Sequence, residues 1–153
     1  MVVYTYGRYD DIDYDKLGKF CPTGDGVLVR LEGSDAEEYN NSKSSTGYIS
    51  YVVTDVNDND VKDYYDNLFN SSSELPSNEQ KIYYNDARAR VIDRYNILTN
   101  NCTTIVCDML NELESNCLYS SRLLTNPYGQ TIIIPYKERF VMPARLSNFL
   151  QKK

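Results

Sequence analysis

The sequence predicts an α+β domain in which a mainly antiparallel sheet packs against a helix that carries a cysteine. Three observations lead there. Residues 2–9 and 47–53 are rich in Tyr, Val and Ile in the alternation expected of strands. Val106, Met109, Leu110 and Leu113 recur at helical spacing behind Asn100 and Asn101, which supply an N-cap, so a helix begins near Cys102. Pro143 then opens a closing helix through Leu150, proline being well suited to a first helical position. There is no repeat, no low-complexity linker and no sign of a second domain in the 153 residues, so 1–153 is read as a single domain.

Taken in order, the strand at 2–9 runs into the acidic loop Asp10-Asp11-Ile12-Asp13. Gly18, Pro22, Gly24 and Gly26 make residues 17–26 a loop that contains Cys21. Residues 26–31 form a short strand, 33–47 a polar surface excursion, and 47–53 the next strand. Asp55, Asn57 and Asn59 place oxygen ligands at alternating positions, as a calcium loop of the EF-hand kind begins. The match stops there, because Asp60 stands where the turn glycine belongs and Asp66 where the bidentate glutamate belongs. The same acids suit a helix N-terminus, and Val61, Tyr64, Tyr65, Leu68 and Phe69 follow at helical spacing. Residues 70–80 are a loop and 81–84 a short strand or turn. Residues 87–95 fit either period: Val91 and Tyr95 share a helical face, whereas Arg88, Arg90, Ile92 and Arg94 fit an alternating strand. Those arginines are either a solvated face or a carboxylate-binding edge near Cys102. After the cysteine helix, residues 126–129 are a turn and 131–135 a strand that Pro135 confines to an edge or an end.

Cys102 is the candidate nucleophile. A helix start favours a thiolate through its unpaired N–H groups and positive dipole end. Val106 and Met109, four and seven residues on, direct Cys102 towards the buried side of the helix. The alternative is a small buried hydrophobe with no chemistry. Cys21 competes as a nucleophile, but no helix start follows it.

The pattern Tyr95-Asn96-Ile97-Leu98-Thr99-Asn100-Asn101-Cys102, followed by an amphipathic helix, resembles the nucleophile segment of circularly permuted papain-like proteins. That group includes NlpC-type cell-wall peptidases, lecithin:retinol acyltransferase-like enzymes and toxin domains at the C-termini of bacterial Rhs and type VI secretion effectors. Val3-Tyr4-Thr5-Tyr6-Gly7-Arg8-Tyr9 resembles the strand that closely follows the catalytic-histidine strand in such toxins, and residues 142–150 resemble their closing Pro-x-x-Leu segment. The resemblance implies a cysteine hydrolase or acyltransferase with Cys102 as nucleophile, acting on amide bonds. Peptidoglycan peptides are the substrate class it favours, and an immunity protein the partner. It also implies delivery into a target cell within a larger protein or by a secretion machine. One departure bears on catalysis: the chain contains no histidine, and in the permuted order the histidine strand comes just before the position of Met1. The expectation is therefore a domain that lacks the N-terminal portion carrying its histidine, or a relative that has lost catalysis and serves as a binding module.

Composition narrows the partners. Sixteen Lys plus Arg against 22 Asp plus Glu leave a net charge of −6, which argues against a phosphate-backbone partner. No apolar run is long enough for a membrane span, and residues 1–4 do not resemble a secretory signal. Cys21, Cys102, Cys107 and Cys117 lack the paired spacing of a zinc site, and no cofactor or metal is implied. The fifteen tyrosines read as amphipathic filler, or alternatively as a stacking groove far from Cys102.

Overall fold

A computed structural model describes residues 1–9, 23–45, 49–77, 79 and 82–152. Its central strand explains most of the architecture. β2 (Thr23–Glu32) carries Val27, Val29 and Leu31 on one face and Leu28 on the other, all buried. A run that is apolar on both faces must be covered on both. β1 (Val2–Gly7) and β3 (Ala89–Asn96) flank it, both antiparallel, with Tyr6 opposite Leu28 and Val27 opposite Val91. A bulge at Gly26/Val27 shifts the β2–β3 register.

One face is closed by α1 (Gly33–Ser45), whose Ala36 and Tyr39 pack on Val27, Val29, Leu31, Ala89 and Val91. The other is closed by α2 (Asp58–Asn70) and α3 (Cys102–Glu112), where Tyr65, Phe69, Ile105, Met109 and Leu110 meet Tyr6 and Leu28. Each helix has its own local logic. The Asn57 side chain caps α2 by accepting from Asn59 N, with Asp58 and Asp60 in the first turn. Asn101 and Thr104 form a reciprocal capping box on α3. A 3-10 turn at Asn116–Leu118 then leads to a separate hairpin, β4 (Tyr119–Thr125) with β5 (Thr131–Lys137), and to α4 (Pro143–Leu150) with Pro143 in its first turn. The fold is α+β, with two antiparallel sheets among the described residues.

Several expectations are corrected. Residues 33–45 are helical rather than an irregular excursion, because Ala36 and Tyr39, one turn apart, suffice to dock a short polar helix on β2. The strand expected at 47–53 does not form among the described residues 49–54. There the alternation is satisfied without a ladder: Tyr51 and Val53 are half-buried, and Tyr51 Oη bonds Ser147 Oγ at 2.6 Å. The loop expected to extend to Gly26 instead enters β2 at Thr23, and β4 adds a strand before the turn at 126–129. Residues 89–96 are a strand, and 82–85 a turn. The acidic loop and Cys21 lie outside the described residues.

Candidate functional site

Cys102 occupies the first turn of α3, immediately after the N-cap. Asn101 holds that turn. Its Oδ1 accepts from Thr103 N at 2.8 Å and Thr104 N at 3.3 Å, while its Nδ2 donates to Ile97 O at 2.8 Å and Val141 O at 3.1 Å. The buried Asn101 thus binds the helix start to the preceding turn and to the chain entering α4. The Cys102 N–H, by contrast, has no hydrogen-bond acceptor among the described residues.

The thiol is exposed, which corrects the expectation that it points to the buried side. The inward positions of the first turn are Thr103 and Ile105, both buried, and Cys102 sits at the rim instead. Two hollows meet there. One, of about 430 Å³, is an apolar groove lined by Ile49 and Tyr51, by Val106 of α3 and by Pro143, Leu146 and Leu150 of α4. The other, of about 190 Å³, lies against β1 and is walled by Tyr4, Tyr6 and Tyr65. A tyrosine-lined hollow therefore exists, but it adjoins Cys102 rather than lying far from it.

Tyr6 is one of the polar residues that share this second hollow with Cys102, beside Tyr4, Thr5 and Tyr65. Its Oη donates to Asp93 Oδ1 at 2.6 Å, and burial, with that hydrogen bond, pushes the phenol well above its ordinary range. Gly26 makes the pair possible, since a Cβ there would fall 1.9 Å from Asp93 Oδ1 and 2.4 Å from Tyr6 Oη. Tyr95 is pushed up by burial. Arg8, whose Nη1 is buried with no hydrogen-bond partner among the described residues, lines neither hollow.

Other candidates fall elsewhere. Arg88 is spent on Asp35 and Asp86, and Arg90 lies over the Phe69 ring, 4.7 Å from its centroid. Neither arginine, nor Arg94, lines the hollows at Cys102, so the expected carboxylate-binding edge is not at this site. Asp55 accepts from Ser115 Oγ and Asn116 N, tying the approach to α2 to the 3-10 turn. Those two N–H and O–H donors, the backbone one foremost, hold its carboxyl below the usual range. No group of three His, Cys, Asp or Glu converges on a metal position among the described residues. Cys107 is buried, its thiol pushed up to about 11 by burial, and Cys117 is half-buried; both are free.

Comparison with protein-family models, with curated proteins and with solved structures finds no match to this chain.

Proposed function

We propose that the domain is a cysteine hydrolase of amide or ester bonds, on a permuted papain-like scaffold, with Cys102 as nucleophile. The observation that carries this reading is an exposed cysteine in the first turn of a capped helix, its own N–H without an acceptor among the described residues, lining an apolar groove. The Cys102 sulfur attacks the carbonyl carbon, and the C=O electron pair moves onto oxygen, where the Cys102 N–H stabilises it. Collapse expels the amine or alkoxide, which takes up a proton; water then cleaves the thioester, releasing the acid and restoring the thiol. An imidazole from outside these 153 residues supplies the proton transfers, since the chain has none. The resemblance favours peptidoglycan peptides as substrate, in an effector delivered against other bacteria and restrained by an immunity protein. The groove's apolar lining favours an acyl side with an apolar portion.

One observation favours a second reading, a catalytically dead binding module. The three phenols that wall the hollow shared with Cys102, Tyr4, Tyr6 and Tyr65, are all raised by burial, and such groups do not accept a thiol proton at neutral pH. Added imidazole distinguishes the two. With p-nitrophenyl octanoate and with a peptidoglycan stem peptide, imidazole should accelerate turnover by the chain well beyond its effect on Cys102→Ala. Equal rates for both proteins on both substrates would leave the binding module.

A further inference from the structure

The β4–β5 hairpin presents apolar residues on both of its faces. Leu123 pairs with Ile133 and Leu124 with Ile132, and successive pairs point to opposite faces. These side chains are 70%, 70%, 51% and 60% exposed respectively. Tyr128 at the turn is 91% exposed. A partner protein seated on one face would leave the other in water, whereas a lipid interface surrounds both.

The polar atoms of the hairpin are arranged for leaving water. Residues 123–136 are fourteen in succession without a charge. At the tip, Asn126 Oδ1 accepts from Tyr128 N at 2.9 Å and Gln130 N at 3.0 Å, and Asn126 Nδ2 donates to Gln130 Oε1 at 2.9 Å. Thr125 and Thr131 pair through their hydroxyls at 2.9 Å. Desolvating the turn therefore strands few hydrogen-bonding groups. The strand edges still carry open N–H and C=O groups, which limits entry to the headgroup region and the top of the acyl chains.

Charge is divided along the chain in the same sense. Residues 119–153 hold six Lys or Arg against the single Glu138, a net of +5, whereas residues 1–118 hold ten against twenty-one acids, a net of −11. The cations nearest the uncharged run are Arg122 and Lys137 at its two ends, with Arg139 just beyond. Arg122 lies 3.4 Å over the Tyr136 ring and 3.5 Å from Glu138, its side chain half-exposed. Such an arrangement places cations at headgroup level when the tip is inserted.

We propose that the hairpin is a shallow membrane-docking wedge that seats this protein on an anionic phospholipid surface, independently of any chemistry at Cys102. The chain has no tryptophan, so Tyr128→Trp gives a single reporter at the tip. With vesicles of phosphatidylcholine containing about one third phosphatidylglycerol, its emission should shift to the blue and be quenched by brominated acyl chains. Binding should be weaker on phosphatidylcholine alone. Leu123→Ser with Ile133→Ser, at exposed positions, should leave the circular dichroism unchanged and weaken co-sedimentation on the order of ten-fold or more. Unshifted tip emission with bound vesicles, or binding indifferent to the double substitution, would overturn the proposal. So would absence of binding, or a concentration-dependent dimer abolished by the double substitution, which would give the hairpin to a second copy of the chain.

Discussion

At the scale of single residues, Gly26 is where the absence of a side chain does the most for the site. The space a Cβ would need is filled by the Tyr6–Asp93 hydrogen bond. Gly26→Ala should therefore break or displace that bond and lower unfolding free energy by about 1–3 kcal/mol, measured by urea denaturation. Tyr6→Phe, which leaves the space intact, should cost less, about 0.5–1.5 kcal/mol. The cysteines should likewise separate by environment. Of the three described, iodoacetamide should label exposed Cys102 first, half-buried Cys117 later, and Cys107 only on unfolding, as mapped by peptide mass spectrometry. Burial both hides the Cys107 thiol and holds it protonated, up to about pH 11.

At the scale of elements, the start of α3 depends on Asn101. That one side chain caps two N–H groups and fastens Ile97 and Val141. Asn101→Ala should cost about 1–2 kcal/mol, seen as a lower urea midpoint with an unchanged slope, and should loosen the rim on which Cys102 sits. This helix was legible in the sequence because cap, period and length agreed, as they did for α2, whereas α4, which has no side-chain cap, was read from Pro143 at its start. The elements that were not legible share a physical cause. Only Ala36 and Tyr39 dock α1, too few to make a helical period visible. Tyr51 and Val53 look like strand residues but bury themselves against side chains instead of pairing. β4 is exposed along nearly its whole length, so no alternation marks it. Cys102 was found by its helix, whereas Tyr6, Asp93 and Gly26 came together only through strand register, which no local pattern encodes.

At the scale of the whole molecule, the tyrosine-rich core makes stability sensitive to alkali. Burial pushes Tyr4 and Tyr9 up to about 12 and raises Tyr6, Tyr64, Tyr65 and Tyr95 as well. In the unfolded chain these phenols lose their protons near pH 10, while the folded chain keeps them, so the unfolded state binds fewer protons and stability falls as pH rises. The stabilisation should be complete below about pH 9 and be lost from about pH 10 through 12. A spectrophotometric titration should show tyrosine ionisation coinciding with unfolding. On the acid side the sign reverses. Arg88, through its hydrogen bonds, holds Asp86 below 3.8, and at Asp66 the Lys62 and Tyr4 bonds outweigh the upward pull of burial. Stability from those groups is present above 3.8 and is lost as pH falls below it.

The central claim is that Cys102 forms a covalent acyl intermediate, and trapping that intermediate tests it most directly. The chain would be mixed with an activated ester in the presence of imidazole, quenched in acid, and examined by intact-mass and peptide-mapping mass spectrometry. One acyl group per chain, carried by Cys102 and absent from Cys102→Ala, is the predicted result. No adduct, or acyl groups spread over the cysteines and lysines at the rates of an unfolded control, would contradict it.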